Sequence, residues 1–179
     1  MNLAYRAKNE TAVGHIAALF TILVWGTTFV STKVLLQDFT PIEILFVRFV
    51  MGLVALFIIA PKVLGWMGWR HERLFMLAGL FGVTLYYLLE NIALTETLAT
   101  NVGVIVSVSP FFTDLLERIV NKGNKLSIQF IIGFVVAMIG IGFISFSETG
   151  LHFSFSGDTL ALLAAGVWAC YSVCMTRIA

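Results

Sequence analysis

Six apolar stretches, each long enough to cross a bilayer, fix what this 179-residue chain can become; they lie near residues 13–34, 41–61, 74–94, 99–118, 127–146 and 158–177. Hydrocarbon about 30 Å thick is crossed by about 20 helical residues at about 1.5 Å each. Lipid offers no partner to a backbone N–H or C=O, so each stretch must satisfy its own peptide groups as a helix. No strict period-2 alternation of a transmembrane barrel is present. The predicted fold class is therefore an all-α integral membrane protein of six transmembrane helices. Composition agrees, since 59% of residues are hydrophobic and only 12% are charged, against about 25% charged in soluble domains. A net charge of +1 with so little solvated surface leaves no basic face for a nucleic acid.

The first apolar run is longer than a signal-peptide core and follows a segment carrying Glu10, so it is read as a retained span. Basic residues orient the bundle. With the N-terminus in the cytoplasm, the inner side collects Arg6, Lys8, Lys62, Arg70, Arg73, Arg118, Lys122, Lys125 and Arg177, against Lys33 alone outside, with Arg48 inside the membrane. Short loops leave no room for a soluble domain. Cys170 and Cys174 fall four apart on one apolar helix, a poor geometry for a disulfide, and read as packing residues.

An internal repeat adds a topological constraint. Gly14–Val30 (GHIAALFTILVWGTTFV) and Gly157–Val173 (GDTLALLAAGVWACYSV) align at an offset of 143, pairing Gly14 with Gly157, Ala18 with Ala161 and Trp25 with Trp168. The copies are five spans apart, so the second enters the membrane from the opposite side. This divides the chain into a five-helix unit at 13–147 and the first helix of an inverted second unit at 157–179. Inverted units with a midplane site are recurrent in secondary transporters. Doubling the offset gives about 286 residues, or four spans more than the chain holds, at about 20 residues per span; a missing C-terminal half is expected.

The Trp25-Gly26 pair followed by Lys33, Pro41 opening span 2 with Arg48-Phe49 inside it, Tyr86-Tyr87 in span 3, and Ser107-Val108-Ser109-Pro110 in span 4 occur in an order that resembles the EamA-type branch of the drug/metabolite transporter superfamily. The resemblance implies a ten-span carrier of the inner or plasma membrane, built of two inverted five-helix units and commonly exporting amino acids, metabolites or drugs. Asn124 stands where many members carry an acidic residue before span 5.

Ionisable and polar side chains within the spans are the site candidates, since each costs about 2.5–3.5 kcal/mol at mid-bilayer on insertion scales. Arg48 lies about 10 Å from the outer boundary and Glu90 about 6 Å, depths that predict an interhelical ion pair, or separate snorkelling of each to water. Thr84, Tyr87 and Asn91 stack on one face of span 3, with Tyr86 and Glu90 on the adjacent strip; they line a cavity or join an interfacial aromatic belt. In span 4, Asn101, Ser107, Ser109 and Pro110 mark a break where proline frees the Val106 carbonyl, a plain kink or a contact point. Trp25, Thr27 and Thr28 lie near the middle of span 1, as Trp168 does in span 6, placed either on a central cavity or in helix packing. The predicted cavity set is thus Trp25, Thr28, Tyr86, Tyr87, Glu90, Asn91, Asn101, Ser107, Pro110 and Trp168. Gly133, Ala137 and Gly140 form a small stripe suited to a neighbouring helix, and Asp114 with Arg118 an ordinary surface pair.

His15, His71 and His152 are scattered, and no phosphate loop, metal-ligand spacing or nucleophile–base set is present, so no enzyme and no cofactor or metal are predicted. The predicted function is a secondary transporter exporting small organic metabolites or drugs by alternating access. A non-transporting membrane assembly module and an inactive transporter fragment are the rival readings. Oligomeric state is left open.

Overall fold

A computed structural model describes residues 3–62, 65–121, 127–148 and 154–178. Among them the helices are α1 (Leu3–Leu35), α2 (Pro41–Ile59), α3 (Trp69–Ala78), α4 (Tyr86–Glu96), α5 (Ala99–Val106), α6 (Ser109–Asn121), α7 (Ile128–Glu148) and α8 (Phe155–Ile178), with a π-helical segment Gly79–Leu85 joining α3 to α4. Five stretches are long and apolar enough to cross a membrane: Ala12–Leu35, Pro41–Ile59, Trp69–Glu96, Ala99–Val120 and Phe155–Ile178. In α7 the described apolar part is shorter, Ile128–Gly140, although the helix itself has 21 residues. The protein is an all-α, multi-pass integral membrane protein. Lys122, Asn124, Lys125 and His152 lie outside the described residues.

Local chemistry sets the helix ends. At the start of α2, Thr40 accepts from the Glu43 N–H while the Glu43 carboxylate accepts from the Thr40 N–H at 2.8 Å, with Pro41 in the first turn. This reciprocal box satisfies otherwise orphaned amides and commits Glu43 to the cap. At α8, the Ser154 N–H donates to Asp158 at 3.1 Å and the Gly157 N–H donates to Ser154 Oγ at 3.3 Å. Span 3 begins at Trp69, earlier than hydropathy indicates, because the exposed Arg70, His71 and Arg73 extend the helix beyond its apolar part.

Pro110 splits span 4 into α5 and α6. The Ser109 hydroxyl donates to the Val106 carbonyl, the acceptor that proline leaves without its amide. The break is thus met by a neighbouring side chain.

Helix α8 packs against α3, the π segment, α4, α5 and α6. Its packed side is made of Ala161, Ala164, Ala165 and Ala169, all buried, and small residues let membrane helices approach closely. The closest approach is at Gly82, where a Cβ would stand 2.4 Å from the Tyr171 ring. At Gly157 a Cβ would meet Thr97 at 2.8 Å. The Gly133, Ala137, Gly140 stripe, expected to receive a helix, does not: all three are exposed and nothing lies within 4 Å of a Cβ built on Gly133 or Gly140. Instead α7 meets span 4 through Phe134, stacked on Phe111 at 5.1 Å. The larger Phe134 reaches its neighbour where the flat side has nothing to meet.

The buried core of Ala93, Leu94, Val102 and Ala161 lies at one end of the bundle, flanked by Phe29 and Leu36 of α1 and its extension. At this same end, Lys33 Nζ donates to the carbonyls of Leu94 and Thr97, the latter at 2.9 Å. An ammonium at the C-terminal end of α4 meets unpaired carbonyls and the negative pole of the helix. The Thr97 hydroxyl donates to Asp158 at 3.0 Å and accepts from Asn101 Nδ2 at 3.2 Å. Ends of spans 1, 3, 4 and 6 are thereby tied through one threonine.

Candidate functional site

A cavity of about 950 Å³ opens beneath this tied end, bounded by α1, α2, α4, α5, α6 and α8. Of the ten residues predicted to line a cavity, eight do: Trp25, Thr28, Tyr86, Tyr87, Glu90, Ser107, Pro110 and Trp168. Asn91 and Asn101 do not. Asn91 is fully buried and its Nδ2 donates to the Pro41 carbonyl at 3.1 Å, leaving its Oδ1 without a partner. Asn101 is buried in the Thr97 cluster. Both sit at the tied end, where polar side chains join helices.

Thr84 also departs from its predicted stripe and is exposed. The π segment ending at Leu85 breaks the α period, so a stripe counted at α spacing from Thr84 loses register before Tyr87. Within α4 the one-turn spacing holds. Tyr87 packs edge to face on Phe49 of α2 at 5.1 Å, and Asn91 reaches Pro41 of the same helix. The adjacent strip, Tyr86 and Glu90, turns to the cavity.

The predicted ion pair between Arg48 and Glu90 is not formed: among the described residues the ion pair within 4 Å joins Arg118 and Asp114, at 2.7 Å. Both members of the predicted pair line the cavity, but Arg48 Nη2 donates to the buried Thr32 Oγ1 at 2.6 Å and its guanidinium lies 5.5 Å from the centre of the Tyr87 ring. Thr32 on α1 and Tyr87 on α4 hold the arginine between them. Glu90, only 2% exposed, stands one helical turn beyond the buried Tyr86 on the same strip of α4.

Rings form a continuous wall. Trp25 meets Trp168 edge to face at 5.5 Å and 87°, Trp168 meets Tyr86 at 4.7 Å and Tyr171 at 5.0 Å, and Tyr86 meets Tyr87 at 5.0 Å. Such contacts add about 0.5–1.5 kcal/mol each beyond their buried area. Packing and cavity lining, posed as alternatives for the two tryptophans, are met together. The repeated helices run in opposite senses: Lys33 lies beyond Trp25 and Asp158 before Trp168, yet both bond to Thr97. Thr28 directs its hydroxyl to the Trp25 carbonyl at 2.7 Å.

Toward the other end, the wall is completed by Thr113, Asp114 and Glu117. Reading Asp114 as an ordinary surface residue missed this, although its pairing with Arg118 is present. The signal was available: Pro110, Thr113, Asp114 and Glu117 recur at i, i+3, i+4 and i+7, one face of a helix. Cys170 and Cys174 are free thiols, and the described residues contain no cluster of histidine, cysteine or carboxylate fit to hold a metal.

Several transporters of bacteria and archaea are similar to this chain. An uncharacterized transporter of Archaeoglobus fulgidus is 28% identical over 172 residues, covering 89% of this chain and 56% of its own. The uncharacterized transporter YvbV of Bacillus subtilis is 26% identical over 171 residues, 95% of this chain and 55% of its own. A probable amino-acid metabolite efflux pump of Escherichia coli is 28% identical over 173 residues, 91% of this chain and 53% of its own. The chain spans about half the length of the curated relatives it matches. No solved structure matches. The EamA-like transporter family model matches residues 12–146, from the first apolar helix into α7, and the chain belongs to that family.

Proposed function

We propose that the protein is a secondary transporter, or the larger part of one, that exports a small organic molecule across the cell membrane by alternating access. The observation that carries this reading is the cavity: about 950 Å³ between spans 1, 2, 3, 4 and 6, with Arg48 and Glu90 on its wall. Cavities of this size suit small organic ligands, and ionisable groups within a membrane mark transport paths. The Thr97 cluster ties the helices together at one end. Asp114 and Glu117 line the other, the side that the basic-residue rule assigns to the cytoplasm. Carboxylates toward the cytoplasm and helices tied at the outer end suit an exporter. The opposed senses of α1 and α8 support the two-unit reading, with 13–147 as one unit and α8 opening an inverted second. The efflux pump among the relatives points to amino-acid metabolites.

Single cysteines at Thr28 and Thr113, with Cys170 and Cys174 changed to serine, test it. An impermeant maleimide is expected to label both in inside-out vesicles and neither in intact cells, and cells loaded with labelled amino acids should lose label faster when the protein is present. Labelling from the external face reverses the export assignment; a cavity labelled from neither face, with no efflux, favours a membrane assembly module.

A further inference from the structure

We infer that the segment joining spans 2 and 3 is a binding surface for anionic phospholipid, with Trp66 and Trp69 entering the headgroup layer and Arg70 and Arg73, helped by Lys62, holding lipid phosphates. The surface is separate from the cavity and does not depend on what is transported. It runs from the end of α2 at Ile59 to the start of α3 at Trp69, and both neighbours are membrane spans, so it lies where the chain turns at a membrane surface. The bend is made at Gly68, whose φ of +95° is one that residues with a Cβ rarely adopt. The Met67 N–H donates to Glu72 Oε1 at 3.4 Å, drawing the segment back onto the first turn of α3. There the Trp66 ring stacks on Trp69, with centroids 6.1 Å apart and planes at 25°. Despite this mutual cover the two remain 71% and 63% exposed. Indoles at the end of a span sit in the headgroup layer, where the ring meets acyl chains and the N–H meets water.

Charge on the same strip selects the lipid. Trp69, Arg73 and Met76 recur at i, i+4 and i+7, one face of α3, and all three are exposed, as is Arg70 one turn before Arg73. Helix α3 packs against α8, and its buried residue, Ala78, falls about 180° round the axis from Trp69. The strip therefore faces out of the bundle, aromatic and basic at its start and apolar by Met76, the order met in passing from headgroups into hydrocarbon. Lys62, Arg70 and Arg73 have no carboxylate within 4 Å among the described residues, and the nearby Glu72 is turned to the Met67 amide. A guanidinium grips phosphate oxygens through parallel N–H bonds. A zwitterionic headgroup brings its own ammonium, which these cations repel, whereas an anionic one does not. The cytoplasmic leaflet, on the side to which the basic-residue rule assigns this segment, carries the anionic lipids.

Tryptophan fluorescence tests this in the full chain reconstituted into phosphatidylcholine vesicles, with rising shares of brominated phosphatidylglycerol or, in parallel, brominated phosphatidylcholine as quencher. The quenching that disappears when Trp66→Phe and Trp69→Phe are combined belongs to this surface. That share is expected to report about fivefold tighter binding of phosphatidylglycerol, and Arg70→Gln with Arg73→Gln should bring the two lipids level. Equal quenching by both lipids in the unsubstituted chain overturns the inference. A preference that survives the loss of both arginines places the site elsewhere and overturns it as well. Rings that neither lipid quenches would stand clear of the bilayer, leaving the surface to a soluble partner and the lipid assignment wrong. None of these results bears on the cavity or on export.

Discussion

Helices α1 and α8 carry matching sequences and lead opposite lives. No residue in the most apolar stretch of α1 is buried inside the structure, whereas α8 buries Ala161, Ala164, Ala165, Ala169 and Val173. Both are hydrophobic enough to span. What separates them is what meets a neighbour: Ile16, Leu19, Phe20 and Leu23 of α1 are exposed, whereas α8 turns a row of small alanines toward its neighbours. Hydropathy places a helix in the membrane, and small residues decide how near another helix it can stand.

Substituting the aligned alanines strains this contrast most. Ala161→Leu is expected to cost about 3 kcal/mol, the upper range for overfilling a packed site, while Ala18→Leu should stay within about 0.5 kcal/mol. Thermal unfolding in detergent compares them, and equal midpoints would mean that α8 is not packed as described. Next in size is the anchorage of α1. Lys33→Met removes two bonds to helix-end carbonyls, each charge-assisted, for an expected loss of about 2 kcal/mol. Hydrogen exchange should then quicken across Gly14–Thr28 and leave Ala161–Ala169 unchanged. Gly82→Ala, forced against Tyr171, should cost about 1–2 kcal/mol. Gly14→Ala, with open space around it, should instead gain up to about 1 kcal/mol in helix propensity. Smallest is the link between the two copies themselves: a double-mutant cycle on Trp25 and Trp168 should give a coupling of about 0.5–1 kcal/mol. A zero would reduce their meeting to proximity.

Much of this was written plainly in the sequence. A run of about 20 apolar residues has few alternatives in lipid, so the spans were legible, and the Val-Trp-small repeat located two tryptophans that do meet. Tyr86, Tyr87 and Glu90 stood out because polar groups are conspicuous against Leu and Val. Partner choice was less visible. Depth put Arg48 beside Glu90, but depth says nothing of azimuth, and a threonine on α1 took the guanidinium. Asn91 and Asn101 were legible as polar and misread as cavity-facing, since joining helices and lining a cavity demand the same side chains. The stripe Gly133, Ala137, Gly140 had the right period, yet among the described residues nothing lies near its two glycines, because small residues permit an approach without attracting one.

The wide turn at Gly79–Leu85 bears on Glu90 in a further way. One residue fewer there would rotate everything after it by one helical step, about 100°, like a dial advanced a single notch. Deleting Val83 would then turn Tyr86 and Glu90 together away from Trp168 and Trp25 while preserving every side chain of α4, so a loss of transport in that deletant would show that the aim of these groups, and not their presence, matters.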